Sequence, residues 1–201
     1  MSSTSTRVAI TIDAEHPDHP AAAENPVLVL NALAAAAARA SFFVQGRWAA
    51  ANPALVRRIA EQGHLIGNHS NSHAPMDMLT DDGIRDSLRK AEDAIEAATG
   101  VSPRPWFRCP YGQGDDDPRV LDVLAGLGYR NVGWDVDHED WRTGRTAAEL
   151  VDGVTADVAK HGDGAVVLLH IWPDATAAAL PEMIARLRAA GAEPVGLDEL
   201  G

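Results

Sequence analysis

A chain of 201 residues, 46% of them hydrophobic and 23% charged, carries enough apolar side chains for a folded core, which excludes intrinsic disorder. Its net charge of −12 opposes contact with a phosphate backbone or an anionic lipid surface, so neither nucleic acid nor a membrane is expected as partner. No apolar run approaches the roughly 20 residues of a membrane span. The segment from Met1 to Asp13 shows no apolar leader with a cleavage site, and the lone Cys109 suits a reducing compartment, so a cytoplasmic protein is expected.

From the N-terminus onward, short β-branched and aromatic runs alternate with longer helix-like stretches. Strands are expected at 7–12, 41–44, 64–67, 105–108, 130–134, 165–169 and 193–197, and helices near 26–39, 53–62, 81–98, 117–127, 146–160 and 175–190. Gly63, Gly100, Gly128, Gly162 and Gly191 stand where helices should end, a position that favours a residue tolerant of the left-handed conformation. This alternation implies an α/β protein with a parallel sheet, either closed as a barrel or open and doubly wound. No linker, repeat or charge block interrupts it, so residues 1–201 are read as one domain.

In both architectures the chemistry sits just beyond the C-terminal ends of the strands. Those ends carry Asp13 and Glu15, then His69 and His73, then Arg108 and Tyr111, then Asp135, Asp137 and Asp140, and finally His170. His69 and His73, at i and i+4, present two imidazoles to one side of a helical turn and suit one shared ion; the same spacing also serves surface or capping histidines. A catalytic metal needs three protein ligands and an open position, which calls for a carboxylate. Asp13 and Glu15 are one residue apart, so an extended backbone points both the same way, one to bind metal and the other to accept a proton. Read alone, they could equally be exposed loop acids. His16, Asp18 and His19 are taken as a solvated loop.

The motifs T-I-D-A-E-H (11–16), H-S-N-S-H (69–73), R-C-P-Y (108–111), D-H-E-D-W (137–141) and L-L-H (168–170) fall in the order T-F-D-D-G-P, H-S/T-x-x-H, R-x-P-Y, D-x-x-D-W, L-x-H. In this the chain resembles the polysaccharide deacetylases, the family of chitin, peptidoglycan and xylan deacetylases, over nearly its whole length. The resemblance implies a distorted (β/α) barrel of seven or eight strands. It implies Asp13 as the catalytic base, His69 and His73 as metal ligands, and Arg108 as the partner that holds the base. It also implies a backbone N–H donor at Tyr111 for the oxyanion, His170 as general acid, and Asp140 as the carboxylate orienting that histidine. Trp141 would wall the site and Leu168 would line the pocket for the acyl methyl.

One motif departs from the family pattern. Where the family has a second aspartate, its carboxylate metal ligand, this chain has Ala14. Glu15 is the expected replacement, one residue later and with a longer arm; two histidines with waters are the alternative. After the last histidine comes I-W-P rather than an acid, which places Trp172 at the mouth as a sugar-stacking surface. Cys109 is read as a small buried filler. The implied cofactor is a divalent metal ion, zinc with cobalt or nickel as alternatives. The implied partner is an acetylated saccharide, and the implied reaction is removal of its N-acetyl group. An O-acetyl esterase of the acetylxylan type and an inactive carbohydrate-binding homologue are the alternatives.

Overall fold

A computed structural model of the chain describes residues 6–200. Residues 1–5, on which part of the leader reading rests, lie outside the described residues. Eight strands, β1 (Thr6–Ala14), β2 (Ser41–Val44), β3 (Leu65–Asn68), β4 (Trp106–Phe107), β5 (Arg130–Asn131), β6 (Val136–Asp137), β7 (Ala165–His170) and β8 (Ala192–Val195), alternate with seven helices. The helices are α1 (Asn25–Ala35), α2 (Gly46–Ala51), α3 (Pro53–Glu61), α4 (Asp81–Thr99), α5 (Pro118–Gly126), α6 (Ala147–His161) and α7 (Asp174–Ala189). Local chemistry sets several boundaries. The Thr80 hydroxyl accepts the Gly83 N–H at the start of α4, and Gly100 ends that helix at φ 71°. Thr146 and Glu149 close a capping box at the start of α6.

All pairings are parallel, in the order β5-β4-β3-β2-β1-β7-β6. A strand has two edges; β7 takes one edge of β1 from Val8 to Asp13, so β8, along Thr6–Ala9, and β2, along Thr11–Ala14, share the other. The sheet curls into a half-barrel, in keeping with the distorted (β/α) barrel of seven or eight strands that the family resemblance implies. Its rim strands β5 and β6 do not pair, and residues 132–135 bridge them. Val132 N–H donates to the Phe107 carbonyl (2.8 Å) on one side of the seam, and Asp135 N–H to that of Val166 (2.9 Å) on the other.

Alternation along the strands divides the side chains into two populations. Val8, Ile10, Ile12 and Ala14 of β1, Phe42 and Val44 of β2, and Ala165, Val167 and Leu169 of β7 face the helices and join the main core with α1, α6 and α7. Ala9, Phe43 and Leu65 face the barrel interior, with Trp106, Val132 and Val166 packed around them. Gly67 of β3 faces inward as well. A Cβ there would lie 2.8 Å from the Phe43 ring, so the missing side chain is what lets that ring fill the barrel. Burying a ring such as Phe42 or Phe43, each fully enclosed, contributes about 1.5–3 kcal/mol.

Two elements went unexpected. The six-residue α2, G-R-W-A-A-A, is too short to show helical periodicity, and the two-residue β6 is embedded among charged residues. Helix α1 ends at Ala35 instead of continuing to 39, because the chain turns through Ala37 at φ 46°.

Candidate active site

The inward parity that fills the barrel floor with apolar groups delivers polar ones at its upper end. Asp13 of β1 lies in register with His170 of β7 on one side and Phe43 of β2 on the other. Glu15 follows two residues later on the same side, while the Ala14 side chain lies in the helix-facing core. His69 comes immediately after β3 and Arg108 immediately after β4.

Arg108 is completely buried and every arm of its guanidinium is used. Nη1 donates to Asp13 Oδ1 (2.9 Å), Nε to the Val132 carbonyl (3.1 Å) and Nη2 to the Gly133 carbonyl (3.1 Å), and its plane lies 4.2 Å from the centre of the Phe43 ring. It therefore fixes the Asp13 carboxylate and also sutures the seam between β5 and β6. Lysine has no comparable planar fork. With Oδ1 so held, Asp13 Oδ2 remains for the cleft, 3.4 Å from His69 Nε2.

Glu15, His69 and His73 form a cluster whose ligand atoms all lie within 4.8 Å of one another. His69 Nδ1 sits 3.0 Å from the Arg108 carbonyl, where it donates, which leaves Nε2 as a lone pair. Glu15 Oε2 lies 2.8 Å from His73 Nε2 and 3.5 Å from His69 Nε2, and those two nitrogens are 3.1 Å apart. Close as they are, neither ring is aligned for a well-formed hydrogen bond to Oε2, which is buried. Two imidazole nitrogens and an orphaned buried carboxylate oxygen, gathered at one point, fit a divalent cation of the borderline-soft type.

The electrostatics agree. Burial alone would raise the Glu15 pKa, yet the adjacent His69 and His73 imidazoles hold it well below the usual carboxylate range. Burial alone would lower His69, but Asp13 and Glu15 raise it. Two carboxylates thus draw positive charge to this point, whether as a proton or a metal. For His170, burial is again outweighed, here by the charge and hydrogen bond of Asp140 with help from Asp13 and Glu15, and its pKa rises to about 10. Asp140 is a buried, saturated acceptor: Oδ1 meets His170 Nδ1 at 2.7 Å, and Oδ2 takes the His170 backbone N–H at 2.7 Å and the Thr176 hydroxyl of α7. His170 Nε2 is thereby aimed toward the cleft, 3.9 Å from Glu15 Oε1.

Above these groups opens a cavity of 260 Å³ lined by Asp13, Glu15, Asp18, His73, Tyr111, Trp134, Asp137, Trp141, Leu168 and His170. Tyr111 is exposed, its ring 4.3 Å from that of His73, and Trp141 is half exposed. Ser70, His73, Tyr111 and Glu139 adopt positive φ. Backbone strain of this kind persists where surrounding contacts over-determine it, and here it gathers around the cleft.

Ten of the eleven residues singled out from the sequence converge here: Asp13, Glu15, His69, His73, Arg108, Tyr111, Asp140, Trp141, Leu168 and His170. Trp172 does not stand at the mouth. It is 3% exposed and packs in the main core, its ring edge-on to His19 at 4.7 Å and 6.2 Å from His170. Strand β7 ends at His170 and the chain bends there, so the alternation that would have kept Trp172 beside His170 no longer applies. Trp134 lines the cavity instead. It was hidden inside the apolar run expected as a strand, whereas it stands on the bridge between β5 and β6. Asp18 reaches the cavity from the loop taken as solvated.

The chain matches the family model described as polysaccharide deacetylase over residues 2–132. It is 34% identical over 197 residues to the peptidoglycan-N-acetylglucosamine deacetylase PgdA of Listeria monocytogenes, covering 98% of this chain and 39% of that protein, so the chain spans about two fifths of that relative's length. Among solved structures, a family 4 carbohydrate esterase from Streptomyces lividans in complex with acetate superposes with a TM-score of 0.81 at 32% identity, covering 94% of this chain and 91% of that one. A CE4 family pseudoenzyme from Bacillus anthracis superposes with a TM-score of 0.86 at 30% identity, over 98% of this chain and 65% of that one. This chain belongs to the polysaccharide deacetylase family.

Proposed function

We propose that the chain is a metal-dependent deacetylase that hydrolyses the N-acetyl group of an amino sugar. The observation that carries this reading is the placement of Asp13 Oδ2 and His170 Nε2, a base and an acid, beside the converging Glu15, His69 and His73. In this reading those three residues hold a zinc, cobalt or nickel ion, which supplies Lewis acidity toward the acyl carbonyl when bound.

The chain's own residues account for the remaining chemistry. Asp13 Oδ2 accepts the proton of the attacking water, and Arg108 keeps the carboxylate oriented through Oδ1. The hydroxide oxygen bonds to the acyl carbon. The Tyr111 backbone N–H, on its strained turn, is the donor for the negative oxygen that develops. His170 Nε2 gives a proton to the departing nitrogen while Asp140 holds Nδ1 and favours the imidazolium. The C–N bond breaks, leaving acetate and a free amine. Leu168, on the cavity wall, contacts the acyl methyl; Trp134, Trp141 and Tyr111 offer faces for a sugar ring. The same groups would cleave an O-acetyl ester.

The test is acetate release from N-acetylchitooligosaccharides by the purified protein, before and after chelation. Turnover that is lost with the metal and restored by zinc or cobalt is expected. A second reading, a saccharide-binding protein without turnover, draws on Ala14 and on the similarity to a pseudoenzyme; protein that binds the oligosaccharide but neither retains metal nor releases acetate would establish it.

A further inference from the structure

The turn that carries Asp140 is a strained object. Glu139 adopts φ 48°, a conformation costly for a residue with a side chain, and Asp140 and Trp141 follow it directly. Bonds within the turn hold part of this shape: Asp137 Oδ1 accepts the Glu139 N–H at 2.7 Å, and the Glu139 carbonyl accepts the Arg142 N–H at 2.9 Å. His138 reaches outside it, to α6.

There the His138 ring lies over Gly153, and its Nε2 meets Asp157 Oδ2 at 3.1 Å. Gly153 and Asp157 stand at i and i+4 on one face of the helix. A Cβ at Gly153 would come within 2.4 Å of His138 Cε1 and 2.5 Å of Nδ1, so with any other residue there the ring must leave this seat. Glycine is a poor choice for a helix interior, and this one sits in the middle of α6. The seat for His138 gives it a reason.

We infer that His138 is a positioning residue: seated over Gly153 and tied to Asp157, it holds residues 137–141 in the strained path that delivers Asp140 to His170. The inference rests on the reading of His170 and Asp140 as the acid and its orienting partner. Gly153→Ala shifts the ring from its seat while improving helix propensity, and His138→Ala removes the ring and its bond to Asp157 with the sequence of α6 unchanged.

The decisive experiment compares kcat, thermal midpoint and amide hydrogen exchange of residues 139–141 in the metal-loaded wild type, G153A, H138A and the double variant. Misplacing a catalytic group costs about 10- to 100-fold in rate, so kcat is expected to fall by about that much in each single variant. The double variant should fall no further, since both changes break one contact, and amides 139–141 should exchange faster in all three. A merely structural seat would move the thermal midpoint and leave kcat unchanged. Single variants within about twofold of wild-type kcat, or losses that multiply in the double variant, would overturn the inference. If the wild type shows no turnover, the proposed function has failed instead; the exchange of amides 139–141 then decides, and unchanged exchange in H138A overturns the seating.

Discussion

The two ends of the barrel are lined by the same alternating strand positions but treat charge in opposite ways. At the N-terminal end, Ala9, Leu65 and Leu197 close the interior with apolar contacts. The charges there sit outside and in mutual pairs, Arg7 with Asp163 at 2.6 Å and Arg39 with Asp198 and Glu199 at 2.9 and 2.7 Å. At the C-terminal end, Asp13, Glu15, Asp140 and Arg108 are buried together. Three buried carboxylates share that end with one buried guanidinium, which pairs with Asp13 alone. That surplus lifts His170 and leaves Glu15 Oε2 without a donor, whereas at the other end the charges are open to solvent, which screens whatever the two arginines do not balance.

This contrast can be broken in graded steps. The largest effect is expected for Asp13→Asn, which removes the proposed base and strands the Arg108 charge. Acetate release should fall by about 10²–10⁴-fold, and denaturant melts should show a loss of about 3–5 kcal/mol, as for other buried pairs missing one partner. Asp140→Asn should act on the pH profile. With its pKa raised, His170 keeps its proton until the pH passes about 10 in the metal-free protein, so the acid form is present below that and lost above. A bound cation opposes the pull of Asp13 and Glu15 and lowers this limit. In the metal-loaded variant the alkaline limb of kcat/KM should move to lower pH than in the metal-loaded wild type, toward the ordinary imidazole value of about 6.5; a limb that stays in place would show that Asp140 does not support the acid.

At the other end, substitutions should cost stability without touching the chemistry. Leu197→Ala removes a buried plug, and its unfolding free energy should drop by about 2–5 kcal/mol while kcat at moderate temperature is unchanged. A matching fall in kcat would mean that the two ends are coupled. The smallest effect is expected for Arg7→Ala. Asp163 is held down to about 2 by the hydrogen bonds and charge of Arg7, yet the pair is open to solvent. Screening leaves such a pair little net worth, and the thermal midpoint should be close to that of wild type at physiological salt.

The sequence made one population of residues easy to read and another hard, for physical reasons. Strand β1 announces itself because Val8, Ile10 and Ile12 alternate with Ala9, Thr11 and Asp13, and the same parity that buries the first set aims Asp13 and Glu15 at the cleft. His69, Arg108 and His170 were legible because each directly follows or ends an apolar run. Harder to see was anything that depends on where a strand stops. The motif pattern places Trp172 at the mouth, but β7 ends two residues earlier and the chain bends; strand periodicity absorbs Trp134, but β5 ends at Asn131 and the next residues bridge the seam. His138 carries no motif signal at all, since its seat is created by a glycine fifteen positions later.

In the proposed function Glu15 replaces the carboxylate ligand that Ala14 lacks. Calorimetric titration of zinc into chelator-stripped wild type and Glu15→Ala, at one pH and ionic strength, tests it most directly. A single tight site is expected in the wild type and an affinity at least about 100-fold weaker in the variant, since losing even an outer-sphere partner costs about 10- to 100-fold. Equal affinity in the two proteins would contradict it and leave the metal to the two histidines.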